Sequence, residues 1–348
     1  MSTHATVRLW GTDIAYVTLE PDRAFADFEY ARDFLRSGIE VSPLRMALAS
    51  RIFRFPELSP KSFQGLPGLL ADSLPDKFGN AIIDTWLATT GRQPESFNAV
   101  ERLCYIGTRG MGALEFKPDL RRGRPGSSKI HVAQLVELAS EIMTHRSSLA
   151  TVFAHRKDER AVREILRVGT SAGGARAKAL IAWNPTTEEV RSGQVTAPSG
   201  FEYWLMKFDG VRNNRDKELA DPEGYGAIEY AYSKMAKDAG ITMMPCRLFE
   251  ENGRRHFMTQ RFDRTDDGGK VHMQSLAALA HYDFNLAGAY GYEQAMLVMQ
   301  ELGLDRSAIE QQFRRLVFNI LARNQDDHVK NIAFLMDRQG RWSLSPAF

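Results

Sequence analysis

Alternating apolar and polar side chains mark the beginning of this chain. Residues 6–20 alternate on both sides of a Gly-Thr-Asp triplet at 11–13, the pattern of two antiparallel strands joined by a turn. From residue 66 the apolar positions recur instead at helical spacing, and Pro75 followed by Asp76 is a favourable start for a helix. The first 120 residues therefore predict a mixed helix and sheet domain, with further elements at 28–35 (strand), 98–104 (helix) and 113–116 (strand).

The remainder of the chain alternates longer helices with apolar strands. Helical periodicity predicts helices at about 132–144, 159–166, 222–239, 276–279, 292–302 and 307–323. Apolar runs predict strands at 179–183, 201–208 and 332–336, and a hairpin with strands at 246–249 and 256–259. The last helix is expected to pack against the core through the apolar side chains Ile309, Phe313, Leu316, Val317 and Ile320, which recur at helical spacing.

A polar segment, Asn324–Asn331, lies between that helix and the strand at 332–336. Buried donors and charges are costly unless they meet a ligand or one another, so the segment is either a solvated turn or a binding site. Asp326 is followed five positions later by Asn331, the spacing found in phosphotransfer enzymes of the protein-kinase type. In those enzymes the Asp accepts the proton of the attacking hydroxyl, and the Asn oxygen holds Mg²⁺ on the phosphates.

Two upstream elements stand in the order that a kinase requires. Gly169–Ala175 contains only small residues and leads into the strand at 179–183, so its amides could approach phosphates closely; a tight hairpin is the alternative. Lys207 lies in the apolar strand at 201–208, where its ammonium either meets an anion or reaches the surface. Glu229, on the following helix, either pairs with Lys207, as the αC glutamate of kinases pairs with its lysine, or is a surface acid.

Two further segments are candidates for contact with a ligand. Gln260–Arg264 follows the predicted hairpin, at the place where the chain of a kinase crosses between its lobes and where backbone groups are free to bind adenine. The glycine-rich stretch 107–112 leads into a strand and lacks the Lys-Ser/Thr of a phosphate loop, which favours a structural turn.

Composition and charge narrow the functional classes. A chain of 348 residues with 43% hydrophobic and 25% charged residues is typical of a globular protein with two or three domains. The formal charge of +2 gives no reason to expect direct nucleic-acid binding, and the basic run at 121–124 lies in a segment typical of an interdomain linker. The 2 distant cysteines favour a reducing compartment. With neither an export signal nor an apolar run long enough for a bilayer, a cytoplasmic location without membrane contact is expected.

Taken in order, these motifs resemble those of the HipA family of serine/threonine kinases, the toxins of bacterial toxin-antitoxin pairs. The resemblance covers nearly the whole chain. It is carried by Leu-Ala-Asp-Ser-Leu-Pro-Asp at 70–76, Gly-Gly-Ala-Arg-Ala-Lys-Ala at 173–179, Lys207, Gln-Arg-Phe-Asp-Arg at 260–264 and Asn-Gln-Asp-Asp-His-Val-Lys-Asn at 324–331.

The resemblance implies an α+β fold. An N-terminal α/β subdomain, residues 1–120, would be followed by a two-lobed protein-kinase-like fold at 130–348. The nucleotide-binding lobe would span about 160–264, and the C-terminal helical lobe would begin at about 270.

The resemblance also assigns roles to individual residues. The phosphates of ATP would be covered by Ala172, Gly173, Gly174, Ala175, Arg176 and Ala177 and contacted by Lys207. Adenine would meet Gln260, Arg261 and Phe262, and the nucleotide would also lie near His328 and Lys330. Asp326 would be the catalytic base, and Asn331 would hold Mg²⁺. Family members are silenced when a hydroxyl in or beside the phosphate loop is phosphorylated, and the hydroxyls here are those of Thr170 and Ser171.

The implied activity is phosphorylation, dependent on ATP and Mg²⁺, of a protein target and of the chain itself. Targets in the family include an aminoacyl-tRNA synthetase, and the expected partner is a HipB-like DNA-binding antitoxin. The metal-binding Asp of the family follows a Pro-x-aromatic segment, here Ser345–Phe348, where this sequence ends, so a truncated form with an incomplete C-terminal lobe is expected.

Two alternatives remain open. The first is a kinase-like binding module that holds an antitoxin or a nucleotide without transferring phosphate. The second is a hydrolase with Asp326, Asp327 and His328 as metal ligands, although no second His/Asp cluster in the sequence supports it.

Overall fold

The computed structural model describes residues 2–89, 91–120, 129–144, 176–211, 215–216, 219–220 and 224–348. The strands are β1 (Thr3–Leu9), β2 (Thr12–Leu19), β3 (Asp27–Tyr30), β4 (Ile52–Phe53), β5 (Leu114–Lys117), β6 (Lys178–Trp183), β7 (Val190–Ser192), β8 (Glu202–Lys207), β9 (Arg215–Asp216), β10 (Leu219–Ala220), β11 (Cys246–Glu251), β12 (Arg254–Gln260), β13 (His272–Ser275), β14 (Ala333–Met336) and β15 (Trp342–Leu344). The helices are α1 (Pro60–Phe63), α2 (Gly68–Ala71), α3 (Lys77–Thr89), α4 (Ala99–Ile106), α5 (Val132–Thr144), α6 (Tyr225–Asp238), α7 (Leu276–Ala280), α8 (Tyr292–Glu301) and α9 (Arg306–Leu321), with short 3-10 helices at Phe34–Arg36 and Pro94–Ser96. Across the described ranges, no helix combines the length and the apolar character needed to span a bilayer.

The N-terminal sheet is antiparallel, with strand order β4-β3-β2-β1-β5. Leu9 already pairs with Thr12, so the turn of the predicted hairpin lies at Trp10-Gly11, one position earlier than expected. The strand predicted at 28–35 ends at Tyr30, because the carbonyl of Ala31 accepts a hydrogen bond of 3.0 Å from the amide of Phe34 and the chain turns into a 3-10 helix.

Helix α4 has a local reason for its start. The side chain of Asn98 accepts a hydrogen bond of 3.0 Å from the amide of Glu101, whose carboxylate accepts one of 2.9 Å from the amide of Asn98. This capping box satisfies two amides that a helix N-terminus otherwise leaves unpaired. The helix then packs Val100 and Leu103 into the core beneath the N-terminal sheet.

The second sheet has strand order β11-β12-β8-β6-β7 and is also antiparallel. Alternate side chains of β6 and β8, such as Ile181 and Met206, join a core that also contains residues of α3 and α5. Because α3 comes from the first 120 residues, the hydrophobic cores do not divide at the predicted boundary between the subdomains. The boundary itself stays a prediction.

Helix α6 packs closely on the edge of this second sheet. A Cβ added at Gly226 would lie 2.2 Å from the carbonyl oxygen of Arg255, so only glycine permits this approach. The close packing places the next turns of α6, which carry Glu229 and Tyr232, beside β8 and β12.

The C-terminal part combines helices α7, α8 and α9 with the small sheet β13-β14-β15. The expected orientation of α9 was wrong in part. Phe313 is 56% exposed and Ile320 65%, whereas Gln312 and Arg315 are buried. Arg315 NH2 donates a hydrogen bond of 2.6 Å to the carbonyl of Ser345, while Ala308 and Ile309 pack against the C-terminal core, so polar and apolar contacts together orient this helix.

The crossing segment, residues 260–264, joins the second sheet to the small sheet and contacts the N-terminal subdomain. Asp263 is fully buried and accepts hydrogen bonds from Arg261 and from Arg264 NH1, and also from the amide of Gly112 at 2.7 Å. Arg264 NH2 donates to the carbonyl of Gly110 at 3.0 Å. The glycine-rich turn at 107–112 therefore contacts protein side chains at the crossing, in keeping with a structural turn.

Candidate active site

Lys207 ends strand β8, and a carboxylate from helix α6 holds its ammonium. Lys207 Nζ lies 2.6 Å from Glu229 Oε2. The side chain of Lys207 is 34% exposed and that of Glu229 18%, so the pair lies at the border of the sheet and is not sealed in the core. The structure thus brings together two residues whose pairing the sequence left open, and the ammonium stays accessible to a further anion.

A second cation contacts the same carboxylate. Arg176 NH1 lies 3.1 Å from Glu229 Oε1, and its guanidinium carbon is 3.5 Å from the centroid of the Tyr225 ring. Each oxygen of Glu229 therefore has a cationic partner. Ala177, by contrast, is fully buried in the core, and its carbonyl accepts a hydrogen bond of 3.1 Å from the amide of Phe208. The other predicted loop residues, Thr170, Ser171, Ala172, Gly173, Gly174 and Ala175, lie outside the described residues.

The polar segment after α9 forms a tight loop around Asp326. Asn331 Nδ2 donates a hydrogen bond of 2.6 Å to the carbonyl of Asp326, and the amide of Asn331 donates one of 2.8 Å to the carbonyl of His328. The carboxylate of Asp326 is 69% exposed and lies 3.7 Å from His328 Nε2. Asp326, His328 and Asn331 therefore lie together in one loop, with the carboxylate open to a substrate.

Neighbouring residues anchor this loop. The hydroxyl of Tyr292 donates to Asp327 Oδ2 and accepts a hydrogen bond of 2.9 Å from Asn319. Burial and the contact with Asp327 raise the pKa of Tyr292 well above its usual value, so this hydroxyl stays a donor. The ammonium of Lys330 lies 4.6 Å from the ring centroid of Phe284. Asp327 therefore anchors the loop through Tyr292, while the carboxylate of Asp326 stays exposed.

Helix α6 connects the Lys207 pair with the Asp326 loop. Tyr232 stands three positions after Glu229, and residues at this spacing are neighbours on one helix face. The hydroxyl of Tyr232 donates a hydrogen bond of 2.7 Å to the carbonyl of Ala322, which ends helix α9 just ahead of the loop. One helix face thus contacts both the partner of Lys207 and the segment that leads into Asp326.

At the crossing segment, the three predicted adenine contacts have different surroundings. The amides of Gln260 and Arg261 donate to the carbonyls of Pro245 and Tyr203, and the side chain of Arg261 is buried against Asp263. The ring of Phe262 lies 5.1 Å from that of Phe348, centroid to centroid. Among the described residues, the amide of Phe262 makes no backbone hydrogen bond, so it is available to a base.

Sequence reasoning missed a buried ion pair beside Lys207. Lys178 Nζ lies 3.1 Å from Asp76 Oδ2, and the two side chains are only 7% and 5% exposed. Lys178 begins β6, and Asp76 directly precedes α3 in the N-terminal subdomain. Lys178 could have been found in the sequence as a lysine beside a run of apolar strand residues, which is the pattern that marked Lys207.

The exposed oxygens of the loop fit Mg²⁺. This ion takes oxygen ligands, commonly one or two carboxylates together with the phosphate oxygens of a substrate. The hydrogen bond from Asn331 Nδ2 to the backbone carbonyl of Asp326 leaves the amide oxygen of Asn331 for a cation, in the same loop as the exposed carboxylate of Asp326. Within the described ranges, no group of three or more His, Cys, Asp or Glu side chains forms a metal site made of protein ligands alone.

Comparisons with known proteins bear on the family and the fold of this chain. The family model of the HipA N-terminal domain matches residues 5–117, and that of the HipA-like C-terminal domain matches residues 170–348. Among solved structures, the chain is similar to HipA in the complex of HipA, HipB and operator DNA from the Shewanella oneidensis MR-1 toxin-antitoxin system, with a TM-score of 0.63 and 16% identity over 99% of this chain and 75% of that chain. At that identity the likeness shows the fold, a mixed helix and sheet arrangement of the kinase-like type. No curated protein sequence matches the chain.

Proposed function

Because this chain belongs to the HipA family, we propose that it is an ATP- and Mg²⁺-dependent serine/threonine protein kinase of the HipA toxin type. It transfers phosphate to a protein target, for which an aminoacyl-tRNA synthetase is the candidate class, and to itself at Thr170 or Ser171. Its partner is a HipB-like DNA-binding antitoxin, as in the complex that contains the structural neighbour. It acts in the cytoplasm.

One observation supports the proposal most directly. Helix α6 carries Glu229, which pairs with Lys207, and Tyr232, whose hydrogen bond to Ala322 holds the start of the Asp326 loop. A kinase needs a cation near the phosphates and a base near the substrate hydroxyl, and one rigid helix here positions both. If Lys207 and Asp326 had unrelated roles, the same helix would not need to position both of them.

The residues divide the work of phosphoryl transfer. The exposed carboxylate of Asp326 orients the hydroxyl of the target Ser or Thr and accepts its proton, as that oxygen bonds to the γ-phosphorus and the bond from phosphorus to ADP breaks. Lys207 offsets negative charge on the phosphates, and the amide of Phe262 orients adenine. Asn331 would hold Mg²⁺, which neutralises phosphate charge when bound.

Transfer of labelled phosphate from ATP tests the proposal. We expect Asp326→Ala to lower the labelling rate of the protein by about 100-fold or more, because a positioned base contributes roughly 10²–10⁴-fold. Asp33→Ala is the matched control, since the side chain of Asp33 is 97% exposed, and its rate should equal that of the unchanged protein.

Three outcomes are distinct. Equal labelling by the Asp326→Ala variant would remove Asp326 from the role of base. A chain that is not labelled, yet whose melting temperature rises with MgATP, would be a nucleotide-binding module, since a ligand that binds the folded state stabilises it. A chain with neither response would retain only the fold of the family.

A further inference from the structure

The ion pair of Asp76 and Lys178 joins the N-terminal subdomain to the proposed phosphate site. The N–O distance is 3.1 Å, and both side chains are less than one-tenth exposed. Removing one partner of so deeply buried a pair strongly destabilises the protein, because the remaining charge is left without its counter-charge. The position of Lys178 in the sheet shows which neighbouring group its charge can act on.

Lys178 and Lys207 are direct neighbours on one face of the sheet. They are register partners in the antiparallel pair of β6 and β8. Directly opposed residues project from the same face, with Cβ atoms about 5 Å apart. The next residues along each strand, Ala179 and Met206, belong to the core on the opposite face. Two lysine side chains therefore project from neighbouring positions on the face where the proposed function places phosphates.

Each ammonium has its own carboxylate. Glu229 on α6 pairs with Lys207 at 2.6 Å, and Asp76 ahead of α3 pairs with Lys178 at 3.1 Å. The charges that act on Lys178 are those of Asp76, Lys207 and Glu229. Burial is the largest cause that lowers the pKa of Lys178, the charge of Lys207 lowers it further, and Asp76 raises it. Asp76 is thus the main group that keeps the buried ammonium protonated.

We propose that Asp76 is a positioning residue of the nucleotide site, which anchors Lys178 beside Lys207 so that both cations face the phosphates. The N-terminal subdomain then contributes to nucleotide affinity without touching the nucleotide. This inference rests on the proposed function, since it assumes that MgATP binds beside Lys207. It adds to that function a residue more than 100 positions away in sequence from the lysine that it positions.

Calorimetric titration with MgATP tests the role of Asp76. We expect Asp76→Asn to weaken binding about tenfold at pH 7.5, the effect of losing one well-placed charge interaction. Affinity should fall further as the pH is raised above 7.5, because burial and the charge of Lys207 lower the pKa of Lys178 and its carboxylate no longer opposes them. The unchanged protein should show no such slope, and Asp76→Glu, which keeps the charge, should restore most of the affinity.

The matched control is Glu115→Gln. Glu115 on β5 also pairs across the subdomains, with Lys270 Nζ at 2.7 Å, and the substitution makes the same change from carboxylate to amide away from Lys207. It should bind MgATP as the unchanged protein does. A structural effect of breaking any such pair would appear in both variants.

The double variant Asp76→Asn/Lys178→Met separates positioning from folding. It removes both charges of the pair and leaves neither uncompensated, so its melting temperature should recover towards that of the unchanged protein even where Asp76→Asn alone fails to fold. Its affinity for MgATP should stay low and independent of pH.

The outcomes identify which idea fails. Recovery of affinity in the double variant, or equal affinities of Asp76→Asn and Glu115→Gln, would overturn the positioning role while the proposed function stands. If the unchanged protein does not bind MgATP at all, the proposed function fails and this inference fails with it.

Discussion

Replacing Asp263 with Asn should strongly destabilise the protein. Asp263 is fully buried and accepts hydrogen bonds from Arg261 Nε at 2.9 Å, Arg261 NH2 at 2.8 Å, Arg264 NH1 at 2.8 Å and the amide of Gly112 at 2.7 Å. Although burial alone would raise the pKa of Asp263, the charges of the two arginines and these hydrogen bonds hold it well below its usual range. The carboxylate is therefore the only negative charge between these two guanidinium groups in the part of the chain that the structure describes.

The magnitude follows from what the variant leaves behind. Asn has the same shape, but it lacks the charge and turns one amide nitrogen towards groups that are themselves donors. Two buried guanidinium groups then lose their compensation. Removing one partner from a buried ion pair typically costs about 3–5 kcal/mol, and we expect the free energy of unfolding to fall by this amount.

Urea unfolding followed by circular dichroism measures the change as a lower midpoint at an unchanged slope. The matched control is Glu310→Gln, which removes the exposed pair of Arg306 and Glu310 on α9 and should leave the midpoint unchanged. A decrease below about 1 kcal/mol for Asp263→Asn would refute the reasoning, since it would mean that water reaches the arginines and solvates them.

Two further outcomes are expected. Burial lowers the pKa of His256, His272 and His281 to about 4. Since the unfolded imidazole titrates near 6.5, the unfolded state binds more protons between these values, and stability should fall as pH drops from 6.5 towards 4, by up to roughly 1.4 kcal/mol per unit for each histidine. Urea midpoints across this range, with His272→Gln flattening the slope, measure the effect. Tyr232→Phe should remove the hydrogen bond to Ala322, lower the free energy of unfolding by about 1 kcal/mol and slow the labelling of the protein by ATP. Labelling at the full rate would show that α6 does not position the Asp326 loop.

Local pattern predicted the elements well where the pattern is itself the cause of the structure. The helix predicted at 132–144 occupies those residues, and the hairpin strands β11 and β12 include the predicted segments. Periodicity succeeds here because one face of each element is apolar and must be covered. The ends of β3 and of the first hairpin differed by a few residues, since single hydrogen bonds near the turn decide them.

The candidate site was predicted in part for a similar reason. Lys207 stood out because an ammonium in an apolar strand needs an anion, and the structure supplies Glu229 at 2.6 Å. Asp326 and Asn331 stood out by spacing, and they share one loop through a hydrogen bond of 2.6 Å. The sequence therefore reveals functional groups that act together when they lie within a few residues of one another in the chain.

Only the tertiary structure decided which distant groups meet. Asp76 pairs with Lys178, and Asp263 receives the amide of Gly112, across 102 and 151 positions of chain. It also turned the polar Arg315 inward on α9 and left Phe313 exposed. Sequence by itself determined the elements and the residues with chemistry to offer, because those depend on neighbours along the chain. It did not determine their partners, because a pattern shows that a charge needs compensation without showing which distant side chain provides it.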